Sequence, residues 1–147
     1  MIGLMAVVVA LSLLLFRPAQ SEPTPFAVGQ VWSVKAPAAA SLRVRIGRID
    51  DLSGRRIVSI AVTGIPCLAG MGCETTTVGH MPFAEETLRS DLDRLVEQGV
   101  GNDERFEGGY AQWREAQGGY WTIPLAQALA AVMQTLFNAS QHLPGGT

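Results

Sequence analysis

The sequence predicts an α+β fold: an N-terminal antiparallel β-meander of three to four strands, then two to three helices packed on it, after an N-terminal signal or anchor segment. Three observations carry this. Between Val28 and Gly79 apolar residues alternate with polar ones, the period of a half-buried strand. From Pro82 onward they recur three and four positions apart, the period of a helix. The strands come first and the helices after them, which is the order of α+β rather than α/β chains. The chain has 147 residues, 48% hydrophobic and 16% charged, enough apolar material for the core of one domain.

The elements follow in order. "MIGLMAVVVALSLLLF" (1–16) is uncharged sequence, apolar except for Ser12, and shorter than the roughly 20 residues of a membrane-spanning helix. It has the length of a signal-peptide core, and Ala19-Gln20-Ser21 places small residues where a signal peptidase reads. No Lys or Arg precedes the run, so an uncleaved anchor is the alternative reading. The resulting division is 1–21 signal peptide or membrane anchor, 22–27 linker, 28–140 a single domain and 141–147 a flexible tail. "VGQVWSVK" (Val28–Lys35) reads as a first strand, and "APAAAS" as a loop. "SLRVRIGRID" sets Leu42, Val44 and Ile46 on one face and Arg43 and Arg45 on the other, with Gly47 marking a bulge. "DDLSG" is a hairpin turn, and "RRIVSIAVTGI" a third strand with Val58, Ile60 and Val62 buried. Glu74 to Gly79 is a candidate fourth strand.

Pro82 suits a helix first turn, and Ala84, Leu88, Leu92, Leu95 and Val96 continue at helical spacing until Gly99. Phe106, Tyr110 and Trp113 fall on one face of a short second helix, weakened by Gly108 and Gly109. "YWTI" reads as a brief strand. Thr122 is placed to cap a last helix whose apolar face holds Leu125, Leu129, Val132, Met133, Leu136 and Phe137.

"GQVW" (29–32), "GHMPF" (79–83) and "GYAQWR" (109–114) carry a resemblance to a group of short uncharacterised bacterial proteins of unknown function. These have GQVW near the start, an HMPF-S-E-E element in the middle and GYxxWR towards the end. The resemblance covers about Val28 to Leu136 and implies domain boundaries but no activity. Its members have a serine where this chain has Ala84, and they lack the cysteine pair.

Four groups of residues are candidates for a role. Cys67 and Cys73 lie six apart across a glycine-rich loop; in an exported chain the pair predicts a disulfide, and a metal site with His80 as third ligand is the rival. His80 stands before Glu85 and Glu86. A catalytic reading makes His80 a general base or metal ligand oriented by one of the two. A structural reading has the acids complement a helix dipole, Glu85 pair with Arg89, and His80 anchor the strand-to-helix crossing. The structural reading accounts for every residue, and no nucleophile motif accompanies the histidine. Arg43 and Arg45, with Arg55 across the hairpin, form a guanidinium row able to hold a carboxylate or phosphate, or else a solvated face paired to Asp91 and Asp93. Tyr110 and Trp113, with Tyr120 and Trp121, offer a stacking platform for a sugar or peptide, or else simply core.

A net charge of −2 argues against a nucleic-acid partner. The expectation is therefore an exported protein of the periplasm or cell surface, anchored to the inner membrane through 1–16 if that segment is uncleaved, acting as a small non-catalytic binding module. Its partner would be an envelope protein or a small anionic or glycan ligand, with no cofactor and no metal. A small hydrolase or metal-dependent enzyme centred on His80 with Glu85 or Glu86 is the alternative.

Overall fold

The structure, a computed structural model, describes residues 19, 21–35 and 40–142. The signal or anchor reading of 1–21, the loop at 36–39 and the last five residues of the tail lie almost wholly outside them. The remainder is α+β, as expected. It comprises β1 (Val31–Val34), β2 (Arg43–Leu52), β3 (Arg55–Pro66), β4 (Thr75–Ala84), α1 (Glu85–Asp91), β5 (Leu92–Glu97), α2 (Glu104–Glu115) and α3 (Leu125–Gln141). The strands form one antiparallel sheet in the order β4-β3-β2-β1-β5. No helix among the described residues is long and apolar enough to cross a membrane.

The β2–β3 hairpin turns on Ser53 and Gly54, both at positive φ (55° and 83°), and the Asp51 carboxylate accepts the Gly54 N–H at 2.8 Å. Two residues at positive φ match the strand twist, which is why this short polar sequence makes the turn. The pairing slips one position between Ile46 and Arg48, so the bulge expected at Gly47 is present. The slip keeps Ile46 and Ile49 with the main core while Arg45, Arg48 and Asp50 remain on the opposite face, where they meet α2.

That main core lies on one side of the sheet. Val44, Ile46, Val58, Ile60, Val62, Met81 and Phe83 pack with Leu88 of α1 and with Leu125, Ala128, Leu129 and Met133 of α3. Phe26 and Trp32 close its end, their rings edge to face at 5.3 Å. Packing thus begins inside the stretch read as the linker 22–27. Gln30 causes this: its Oε1 accepts both the Trp32 indole N–H and the Ala27 N–H at 3.0 Å, and its amide donates to the Pro25 carbonyl at 3.2 Å.

Three expectations are corrected. The fourth strand does not stop at Gly79 but runs to Ala84, so Pro82 is a strand residue. β4 is an edge strand, and the outward side of Pro82 meets only the isolated segment at Trp121, whose N–H donates to the Pro82 carbonyl at 2.8 Å. An edge position asks for no N–H from the proline. Second, the helix expected from Pro82 to Val96 ends at Asp91, and Leu92 to Glu97 become β5. β1 has a second edge to fill, and Leu92 and Leu95 pair there with Val34 and Trp32. Sheet closure outweighs helical spacing, and it inserts a strand among the helices. Third, Thr122 caps nothing: α3 starts after Pro124, and the Leu125 N–H is taken by Asp91 Oδ2 at 2.8 Å.

Candidate functional site: the face of α2

Helix α2 covers the other side of the sheet. Asp103 caps it, its carboxylate accepting the Phe106 N–H at 2.9 Å, a bond that holds the Asp103 carboxyl below its usual range. The helix sits close because glycines stand wherever a side chain would intervene. A Cβ on Gly47 would come within 2.2 Å of the Phe106 ring, one on Gly79 within 2.9 Å of the Arg105 Cβ, and one on Gly109 within 2.7 Å of the His80 Cβ. The Gly109 that weakens the helix in the sequence is what lets it approach β4.

Phe106 is fully buried beneath α2. Around it the rings of Tyr110 and His80 lie at 6.1 and 5.5 Å, and Trp113 lies 5.7 Å from both His80 and Tyr110. His80 is half-buried in this aromatic box, and its Nε2 is 3.0 Å from the hydroxyl of Ser59, itself fully buried. Burial pushes the imidazole pKa below its ordinary value, against a weaker opposing pull from Asp50.

Glu85 and Glu86 do not orient His80. Glu85 pairs with Arg89 at 2.7 Å and with Arg56, and Glu86 pairs with Arg55. Partial burial works against the ionised form of Glu85, but hydrogen bonds from Arg89 and Arg56 outweigh it and keep the carboxyl low; the Arg55 bond lowers Glu86. This lattice joins the β2–β3 hairpin to α1. The two pairs of the partly buried Glu85 contribute about 0.2–1 kcal/mol each.

The expected arginine row is also rearranged. Arg43 turns back to the carbonyls of Ala40 and Leu42, at 2.9 and 2.8 Å. Arg45 lies over the Phe106 ring at 6.0 Å and 3.6 Å from Asp103. Arg55 occupies the turn end of the hairpin, opposite Leu52, whereas Arg43 pairs with Thr63 at the far end. Arg55 stacks there on Tyr120 at 5.4 Å. Asp91 and Asp93 take no part in the row: Asp91 caps α3 and Asp93 pairs with Arg94 at 3.3 Å.

What the face of α2 assembles is a different set, which sequence spacing alone did not single out. Asp50 accepts the Tyr110 hydroxyl at 3.0 Å on both carboxylate oxygens and Arg114 at 3.3 Å. Partial burial, and then the Asp50 bond, raise the Tyr110 pKa. Arg48 lies 5.6 Å over the Tyr110 ring and binds Glu107 at 3.1 Å. At the end of α2, Leu52, Trp113, Arg114, Gln117 and Gly118 line a hollow of about 370 Å³. Of the predicted site residues, Tyr110 and Trp113 come together with His80 here. The signal for Arg114 was its place one turn after Tyr110 and next to Trp113.

Cys67 and Cys73 stand at disulfide distance, their Cα atoms 5.8 Å apart. Among the described residues no three His, Cys, Asp or Glu side chains gather in a metal-binding cluster. No family model, no curated protein and no solved structure matches the chain.

The packing of His80 gives a pH prediction. A histidine whose native pKa lies below its unfolded value binds fewer protons when folded, so stability is full above about pH 6.5 and falls as pH drops through and below that value. The depressed carboxylates act in the same direction but only at lower pH, below their ordinary range near 4. Thermal unfolding should therefore show Tm declining between about pH 7 and 5.5, and His80→Gln should flatten that decline. An equal decline in the variant would mean that His80 does not titrate in this environment.

Proposed function

We propose that the protein is a small, non-catalytic binding module that works after export, in the periplasm or at the cell surface, anchored to the inner membrane where 1–16 is retained. The observation that carries this reading is the setting of His80. The side chain best suited to acid–base work is enclosed by Phe106, Tyr110 and Trp113. Its polar neighbour is the fully buried Ser59, not a carboxylate or an exposed nucleophile. General acid–base catalysis needs the group within hydrogen-bond reach of a substrate proton, and this imidazole instead fastens β4 to β3 and α2. The apolar segment 1–16 and a cysteine pair at disulfide distance both suit an oxidising, exported setting. The same face of α2 carries arginines and aromatics, which suits an envelope protein or a small anionic or glycan ligand.

Assays of the full chain and of His80→Ala against ester, phosphate, glycoside and peptide substrates test the reading. The expected result is no turnover that depends on His80. Turnover abolished by the substitution, in a variant that still folds by circular dichroism, would replace the binding module with the hydrolase.

A further inference from the structure

We infer that the hollow at the end of α2 is a binding site for a sugar ring that bears a carboxylate. This rests on the binding-module reading and names its ligand class. The hollow's volume of about 370 Å³ falls within the roughly 300–1,000 Å³ of small-molecule sites. Three chemistries meet in it. Trp113 supplies an aromatic surface for the C–H face of a ring, with Leu52 beside it. Arg114 supplies a planar fork matched to a carboxylate. Gln117 supplies an amide that both donates to and accepts from hydroxyls.

The parts are held in place beforehand. The Trp113 indole N–H donates to the Gly119 carbonyl at 2.8 Å, and a Cβ on Gly118 would lie 2.4 Å from the ring, so the loop is laid directly along the indole. Asp50, fixed by Tyr110, holds one amino group of Arg114 from the sheet. Such rigidity lowers the entropy lost on binding. One guanidinium shared with Asp50 suits a monoanion; a phosphate dianion asks for more positive charge.

Gln117 is the most pointed observation. Helix α2 ends with the Gly118 N–H on the Trp113 carbonyl at 2.9 Å and the Gln117 N–H on the Arg114 carbonyl at 3.2 Å. This hydrogen-bond pattern places the residue at 117 in the left-handed region and ordinarily takes glycine there. Here it is glutamine, at φ 49°. A non-glycine residue in a left-handed backbone position at a helix end, lining a hollow, points to a use for its side chain.

Titrating the full chain with D-glucuronate, D-glucose and acetate, followed by amide and indole NMR, tests this. D-Glucuronate should shift the Trp113 indole and the Gln117 and Gly118 amides, binding about tenfold more tightly than D-glucose or acetate. Arg114→Gln should remove that tenfold and leave D-glucose unchanged. Gln117→Gly should weaken D-glucuronate while raising Tm by a few degrees, a split that loss of folding cannot produce. Equal binding of D-glucose and D-glucuronate would overturn the carboxylate assignment, and silence of these resonances to all three probes would overturn the site. The binding-module reading fails by a separate result, turnover that depends on His80.

Discussion

Replacing Phe106 by alanine is expected to destabilise the protein by about 3–5 kcal/mol, the largest effect of any single truncation on the face of α2. The ring is fully buried and is what α2 sets against the sheet. It rests on Gly47, where even a methyl group would come within 2.2, 2.4 and 2.6 Å of three of its atoms. It also carries the guanidinium of Arg45, whose Nε and Nη2 are buried without a hydrogen-bond partner among the described residues. Gly47→Ala should then cost about 1–3 kcal/mol through overpacking, although alanine is otherwise the better strand residue. The two sites must be coupled. Phe106→Leu shortens the side chain over Gly47, so the double variant Gly47→Ala/Phe106→Leu should be more stable than the sum of its singles by at least about 1 kcal/mol. Urea unfolding of the four proteins measures this directly. Additivity within about 0.5 kcal/mol would mean that the ring is not seated on Gly47.

That coupling also marks where sequence reasoning reaches its limit. The hairpin of β2 and β3, the bulge at Gly47, the short helix around Phe106 to Trp113 and the last helix were legible because each is set by local chemistry: alternation, a polar turn containing glycine, apolar residues at helical spacing. Residues 82–97 were not. Leu88, Leu92 and Leu95 fit a helix by spacing, and only the vacant side of β1, set by residues some sixty positions earlier, makes Leu92 and Leu95 strand residues. The site divides in the same way. Phe106, Tyr110 and Trp113 could be placed on one helical face from their numbers. That Asp50 would reach Tyr110 and Arg114 depends on which face of the sheet the bulge presents, sixty residues away and more. The structural reading paired Glu85 with Arg89, as found, whereas the catalytic alternative turned Glu85 and Glu86 towards His80 on nearness in sequence alone. Side chains on a strand and on the following helix need not share a direction, and these two turn to the hairpin arginines instead.

The second large effect is expected at Gln30, for reasons of hydrogen bonding rather than volume. Gln30→Leu keeps the size of the side chain but leaves the Trp32 indole N–H and the Ala27 N–H without their acceptor and the Pro25 carbonyl without its donor. With each orphaned group costing about 1–3 kcal/mol, partly recovered by water at the open end, the loss should be about 3 kcal/mol. Its location matters as much as its size. Phe26 and Thr24 are held a second time by Arg89, which lies 4.2 Å over the Phe26 ring and donates to the Thr24 carbonyl at 3.0 Å. The amide of Gln30 reaches only to Pro25, so its loss should release residues 22–27 and the Trp32 end of the core together. Arg89→Ala, by contrast, should loosen Thr24 and Phe26 while leaving the Trp32 indole protected. Hydrogen exchange of the Ala27 amide and the Trp32 indole, with limited proteolysis across 22–27, separates the two. Fast exchange at Ala27 confined to Gln30→Leu is the expected pattern; equal protection in both variants would mean that the glutamine is a bystander in a core held by Phe26 alone. Were 1–16 retained as an anchor, a docked 22–27 would hold the domain close to it, and releasing those six residues would add up to about 20 Å of reach at roughly 3.3–3.6 Å per residue.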